Sequence, residues 1–362
     1  MLPGNLLPVL LRRWGISDER AGYLFLIFFL TSTGGALLAR GSLPRSITRG
    51  CVLVALGMTS LAFVSGTVAL LSVAVYGLGL GIAMTSVSLW QSRRYPRERT
   101  AQMAKLNLLW AIGACAGPFI VLYGATRFGE GPLLYGVASI FALSGAFSLT
   151  LEPVVAAEPH PSSQWSLSKG TVPGILFLLV PLATGIESGT GGWLATYSNR
   201  TGHDLRITIT TVTCFWGGML LSRFTQSFQS IATASTRTVL QWAPWLITAG
   251  LALLLEAQNG LEALLGAFLL GAAVGPLYPL FIALFLNFGE AGNVVFVLGG
   301  VGAALFPWVT GLVSARTHSL RAGLAALFLV SVSLGILTWR ASLQRWSLHG
   351  PHPDGHQIPT QE

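Results

Sequence analysis

Glu187 is the residue of this chain best placed by type and position to do chemistry. It lies in Gly185-Ile186-Glu187-Ser188-Gly189-Thr190-Gly191-Gly192-Trp193-Leu194-Ala195-Thr196-Tyr197, inside a run from about 171 to 198 that is otherwise apolar enough to cross a membrane. Of the thirteen carboxylates, the other twelve fall in connections, at span ends or in the tail. Charge at that depth is costly, so intramembrane acids face a cavity or an ion path. An acid that is expensive to keep ionised can take up and release a proton during a cycle. No basic residue shares the span, which weakens a structural salt bridge. Glu187 is therefore expected to couple protons; the alternative is a protonated or hydrogen-bonded Glu that ties helices together.

Flat aromatic faces with a polar N–H or O–H suit sugar rings or lipophilic compounds. Trp110, Trp193, Tyr197 and Tyr278, together with the intramembrane amide of Asn107, form the expected substrate-binding set, with Trp216 and Trp308 as further candidates. Each alternatively belongs to helix packing or to an interfacial belt. Trp193 follows Glu187 by six residues, about 9 Å along a helix. Both line one cavity only if the glycine run bends the helix.

Glycine and proline interrupt several spans, and broken backbone is tolerated in lipid only where protein or a water-filled cavity satisfies it. Gly117 and Pro118, Gly191 and Gly192, Gly275 and Pro276, and Pro307 are the expected hinges or close-packing points. The chain has no Gly-x4-Gly-Lys loop, no metal-binding histidine pair at helical spacing in any expected span and no nucleophile elbow. No enzymatic activity, cofactor or metal site is expected, and an ion gradient is left as the energy source.

The elements that must position these residues follow from composition. Charged residues are 9% and hydrophobic residues 52% of the chain, and mean hydropathy is +0.66. That excludes an ordinary soluble enzyme and predicts an all-α, polytopic integral membrane protein. Spans are expected at about 19–39, 47–66, 68–91, 103–126 and 132–151, then 171–198, 207–222, 238–256, 260–287, 292–315 and 320–341. These eleven full spans define an N-terminal bundle (1–151), a linker (152–170), a C-terminal bundle (171–341) and a disordered tail (342–362). Cys51, Cys115 and Cys214 all sit in apolar runs and read as small buried hydrophobes.

The net charge of +8 reads as membrane topology rather than nucleic-acid binding. Thirteen basic residues, among them Arg223 in the 222–238 connection, fall on the face that carries the linker and tail, against eight on the other. The first face, with Arg93-Arg94-Tyr95-Pro96-Arg97-Glu98-Arg99 as its anchor, is therefore expected to be cytoplasmic, as is the C-terminus.

The halves repeat. Gly113…Pro118…Arg127 and Gly302…Pro307…Arg316 share their spacings, five residues and then nine. Gly77/Gly81 and Gly271/Gly275 precede them as Gly-x-x-x-Gly pairs, which let helix backbones approach closely. The match leaves span 171–198 opposite Met1–Leu11, too short to cross a bilayer.

Against this background, Gly4-Asn5-Leu6-Leu7-Pro8-Val9-Leu10 with Trp14-Gly15-Ile16-Ser17 and Ala21-Gly22-Tyr23 resembles the first helix end, first loop and second helix of a major facilitator superfamily transporter. Gly185-x-Glu187-x4-Gly192-Trp193-Leu194-x-Thr196-Tyr197 resembles the seventh helix of the branch that includes the fucose and glucose/galactose symporters. Gly275-Pro276-Leu277-Tyr278-Pro279 and Gly299-Gly300-x-Gly302-x4-Pro307-x3-Gly311 are similar to its tenth and eleventh helices. Gly35-Ala36-Leu37-Leu38-Ala39-Arg40 keeps the glycine and arginine of the family's second loop and lacks its Asp.

The resemblance implies two pseudo-symmetric six-helix bundles, the first without most of its first helix, through an upstream start or as a shortened paralogue. It implies proton-coupled alternating access in the cell membrane, with a small polar organic solute such as a sugar, an H⁺ gradient and membrane lipid as partners. The alternatives are a drug/proton antiporter, suggested by Gly113-x3-Gly117-Pro118, and a non-transporting sensor or scaffold.

Overall fold

The computed structural model describes residues 2–39, 41–95, 99–154, 174–226, 229–281 and 292–343, and among these it contains helices and no strand. In the first half, α1 (Leu2–Trp14), α2 (Asp18–Leu38), α3 (Leu43–Phe63) and α4 (Gly66–Arg94) are followed by α5 (Arg99–Pro118). A π-helical turn, Phe119–Tyr123, joins α5 to α6 (Gly124–Phe128), and α7 (Glu130–Ser148) completes the half. The second half contains α8 (Gly174–Arg200), α9 (Leu205–Gln226), α10 (Gln229–Glu256), α11 (Gly260–Val274), α12 (Gly292–Thr317) and α13 (Leu320–Leu343).

Eleven helical stretches among the described residues are long and apolar enough to cross a membrane. Helix α1 has thirteen residues, about 20 Å, which is short of the roughly 30 Å hydrocarbon core. The 152–170 linker and the tail beyond 342 lie largely outside the described residues.

Helix starts follow from local chemistry. Ser17 caps α2 ahead of Asp18 and Glu19, where a hydroxyl acceptor and negative charge both suit exposed N–H groups. Asn259 caps α11 by accepting from the Glu262 N–H at 3.1 Å, and Glu262 reaches back to the Gln258 N–H at 2.6 Å. Asp204 does the same for α9 at Ile207.

Span ends agree with the hydropathy reading to within a few residues except where polar turns extend a helix beyond its apolar part and in the span expected at 260–287, whose helix turns at 275–276 and whose expected end lies outside the described residues. Helix α10 begins at Gln229, nine residues ahead of the expected 238. The backbone keeps its hydrogen bonds in water as well as in lipid, so hydropathy marks the membrane boundary and not the helix end.

Between lipid-embedded helices the hydrophobic effect supplies little attraction, and close packing of small residues takes its place. A methyl on Gly77 would collide with Thr31 and Phe28, and one on Gly81 with Ser32. Helix α4 therefore lies backbone to backbone on α2. The second Gly-x-x-x-Gly pair repeats this: a methyl on Gly271 would meet the Phe215 backbone, and one on Gly275 would meet Ser222 and Met219, all on α9. The fourth helix of each half thus packs on the second, and the repeated Gly-x-x-x-Gly pairs are the points of close approach.

The halves meet at three seams. Helix α1 crosses α8 where Gly4 abuts Gly191 and Gly192. Helix α2 runs along α12, with Gly22 against Trp308 and Gly300 against Thr33. Helix α5 packs on α9, where the Thr213 hydroxyl donates to the Cys115 carbonyl at 3.4 Å.

Two expected interruptions are corrected. Helix α8 passes unbroken through Gly189–Gly192 and α12 passes unbroken through Gly299–Pro307. Their glycines serve close approach: a methyl on Gly192 would touch Phe25, and one on Gly302 would strike Pro181 and Thr184. The other two interruptions exist. After Gly117–Pro118 the helix switches to the π form, and at 275–276 it breaks into a turn before resuming at 277–281.

Candidate functional site: a charge pair at the seam

Glu187 has a partner that its own span could not supply. Helix α9 continues past residue 222, the expected end of that span, and its last turn carries Arg223. The Arg223 Nη2 lies 3.5 Å from Glu187 Oε2. The expectation that Arg223 belongs to a surface connection is therefore corrected. Neither side chain is sealed: Arg223 is 22% and Glu187 18% exposed.

Three groups hold the guanidinium. Besides Glu187, its Nε donates to the Gly275 carbonyl at 3.1 Å, and its carbon lies 5.4 Å from the Trp110 ring centroid. The second contact has its origin in the sequence. Pro279 has no N–H to return to the carbonyl four residues earlier, which is Gly275, so that carbonyl is free for a side chain. Gln226 makes a parallel contact with the Pro276 carbonyl at 3.3 Å.

The stacking on Trp110 is a cation–π arrangement, and it crosses the seam, since Trp110 comes from α5 and Arg223 from α9. Trp110 also meets Trp216 edge-on, with centroids 6.1 Å apart at 88°. The Trp216 N–H is buried without a hydrogen-bond partner, as is the Asn5 amide nitrogen, which faces Gly117. Tyr278 lies past the Gly275–Pro276 turn and lays its ring edge and hydroxyl against Gly299. It is close enough to feel both Glu187 and Arg223.

The substrate-binding set divides. Trp110 and Tyr278 gather at the pair. Asn107 is exposed on α5, one turn from Trp110 and on the same face. Trp193 and Tyr197 do not join them. On an unbroken helix six residues turn the side chain about 240°, and Trp193 faces the α2–α12 seam. It is fully buried, its indole N–H donates to the Pro307 carbonyl at 2.8 Å, and its ring lies 5.8 Å from that of Phe25. The Tyr197 hydroxyl is taken by the Leu255 carbonyl at 3.4 Å.

On the face opposite the basic connections a second charge cluster joins the halves. Arg200, at the end of α8, grips both carboxylate oxygens of Asp18 at 2.6 and 2.7 Å, and the Ser314 hydroxyl of α12 donates to Asp18 Oδ2 at 2.6 Å. A cleft of about 460 Å³ lined by Trp242, Trp245, Ile336, Trp339 and Arg340 shares no residue with either cluster. Trp242 and Trp339 lie near span ends, where an interfacial aromatic belt is found. Among the described residues no group of three or more metal-ligating side chains is present.

No family model matches the chain, and no curated protein matches it. Solved structures do. A variant of the Escherichia coli fucose:proton symporter FucP superposes with a TM-score of 0.60 at 15% identity, over 94% of this chain and 95% of that one. A bacterial homologue of the human lysosomal transporter Spinster, inward-facing and occupied, gives 0.70 at 12% identity over 94% and 92%. A variant of the nucleoside transporter NupG gives 0.74 at 14% over 93% and 94%. The chain is thus an integral membrane protein with the fold of major facilitator-type transporters, in agreement with the resemblance read from its residues.

Proposed function

We propose that this chain is a secondary transporter that moves a small polar organic solute by proton-coupled alternating access, the halves rocking about the α5–α9 and α2–α12 seams. The observation that carries the reading is the Glu187–Arg223 pair, partly open to water and capped by Trp110 from the opposite half. Central sites between repeats are where such carriers bind. The names of the neighbours, a fucose:proton symporter and a nucleoside transporter, support the same class. With the basic face cytoplasmic, the Asp18–Arg200–Ser314 cluster closes the outside and the pair faces inward, in the cell membrane and with the C-terminus in the cytoplasm.

A charged Glu187 is held by Arg223; protonation dissolves that attraction and frees the guanidinium. Proton binding and solute binding therefore act on the same contact. The test is uptake into proteoliposomes under an imposed pH gradient. Glu187→Gln is expected to abolish gradient-driven accumulation, and accumulation in that variant equal to the parent's would overturn the role of Glu187.

A further inference from the structure

We infer that the solute carries a single negative charge, a small polar organic carboxylate such as a sugar acid, and that its carboxylate takes the place of Glu187 on Arg223. This rests on the proton-coupling role of Glu187.

Geometry provides the first argument. Of the three groups around Arg223, the Trp110 ring and the Gly275 carbonyl fix the plane of the guanidinium without cancelling its charge. Only Glu187 cancels it, and at 3.5 Å it stands farther off than the roughly 2.7–2.9 Å of a tight charge-assisted hydrogen bond. A guanidinium held in place yet loosely paired presents a planar fork, the shape that matches a carboxylate. Trp110 belongs to one half and Arg223 and Glu187 to the other, so an occupant here touches both moving parts.

Charge balance provides the second. Empty, the site holds Glu187 as carboxylate and Arg223 as cation, with net charge zero. A proton arriving from water binds a Glu187 oxygen, the ion pair is lost, and the site carries +1. A half-buried guanidinium without a counter-charge is costly. A monocarboxylate returns the site to zero; a neutral sugar leaves +1, an organic cation makes +2, and a dianion such as a phosphate monoester makes −1. Only the monoanion gives empty and loaded carriers the same charge as they reorient within lipid. Among the described residues, Arg223 of α9 is the charged group in contact with Glu187, Tyr278 beyond α11 is the titratable group within its electrostatic reach, and the other ion pairs lie at helix ends.

The experiment uses the full chain in proteoliposomes, with labelled gluconate and glucuronate beside glucose, fucose and tetraphenylphosphonium. A carboxylate is expected to accumulate under an inward proton gradient, at a rate unchanged by a potassium–valinomycin potential. Arg223→Lys, which keeps the charge and loses the fork, should raise its half-saturation concentration about tenfold or more. Glu187→Gln should turn gradient-driven uptake into exchange that no longer varies with pH. The double variant Glu187→Gln/Arg223→Gln decides whether Arg223 merely neutralises Glu187. It has no charge left to compensate and is expected to remain monodisperse yet inactive toward carboxylates. Carboxylate uptake by that double variant would overturn the inference. Proton-driven uptake of glucose or fucose without carboxylate uptake would overturn it too, and would leave the proton-coupling reading standing. No gradient-driven movement of any probe would overturn both.

Discussion

Trp193 shows how a residue of the right type can hold a different post from the one its chemistry suggests. Its indole spans the seam between halves and ends on the Pro307 carbonyl. Trp193→Phe would remove that hydrogen bond, worth about 0.5–1.5 kcal/mol net, and leave a small void where the larger ring sat. A loss of about 2 kcal/mol is expected. It would be read as a fall of a few degrees in detergent thermal unfolding; an unchanged midpoint would show that the indole N–H adds nothing. Glu187 was legible because a carboxylate in an apolar run stands out by type alone. Arg223 was not, because hydropathy closed its span at residue 222 and counted it among topology signals. A clue was available in Pro279, which strips the Gly275 carbonyl of its helical donor four residues back and so calls for a donor from elsewhere.

At the scale of elements, glycine placement separates helices that must touch from helices that face lipid. A methyl on Gly271 meets the backbone of Phe215, which cannot move aside without shifting α9, whereas Gly136 of α7 has nothing within 4 Å of a would-be methyl. Gly271→Ala is therefore expected to separate α11 from α9 and to cost several degrees of thermal stability and monodispersity. Gly136→Ala should be neutral, or stabilising by up to about 1 kcal/mol through helix propensity. Equal behaviour of the two variants in fluorescence-detected size exclusion would refute the packing argument. Spans and the repeat were readable from sequence because lipid imposes length and apolarity on each helix, and because Gly-x-x-x-Gly marks the same contact twice. The continuity of α8 and α12 was not readable. A glycine that breaks a helix and one that lets a neighbour approach look alike until the neighbour is placed.

For the whole molecule the decisive feature is that one charge cluster ties the two halves together at one face while the looser Glu187–Arg223 pair lies between them. Asp18 is nearly enclosed, with 10% of its side chain exposed, and binds Arg200 through both oxygens while accepting from Ser314. That cluster ties the start of α2 to the ends of α8 and α12, and so ties half to half. Arg200 remains 43% exposed, which discounts the pair relative to a buried one, but the fork geometry and the hydroxyl add to it. Asp18→Asn keeps the shape and loses the charge, and is expected to weaken closure by about 1–2 kcal/mol, a shift of roughly 5- to 30-fold in the balance between closed and open forms of that face. Spin labels at Arg20 on α2 and Arg316 on α12, both exposed, report the gap directly once the native cysteines are replaced. The variant should show a longer-distance population that the parent lacks, and 1 M salt should produce it only in part, since screening reaches Arg200 far better than Asp18. Coincident distance distributions in parent and variant would mean that helix packing alone holds the face shut. In that event closure would be set by the glycine contacts of α1 on α8 and α2 on α12, and the ion cluster would carry no share of the conformational balance.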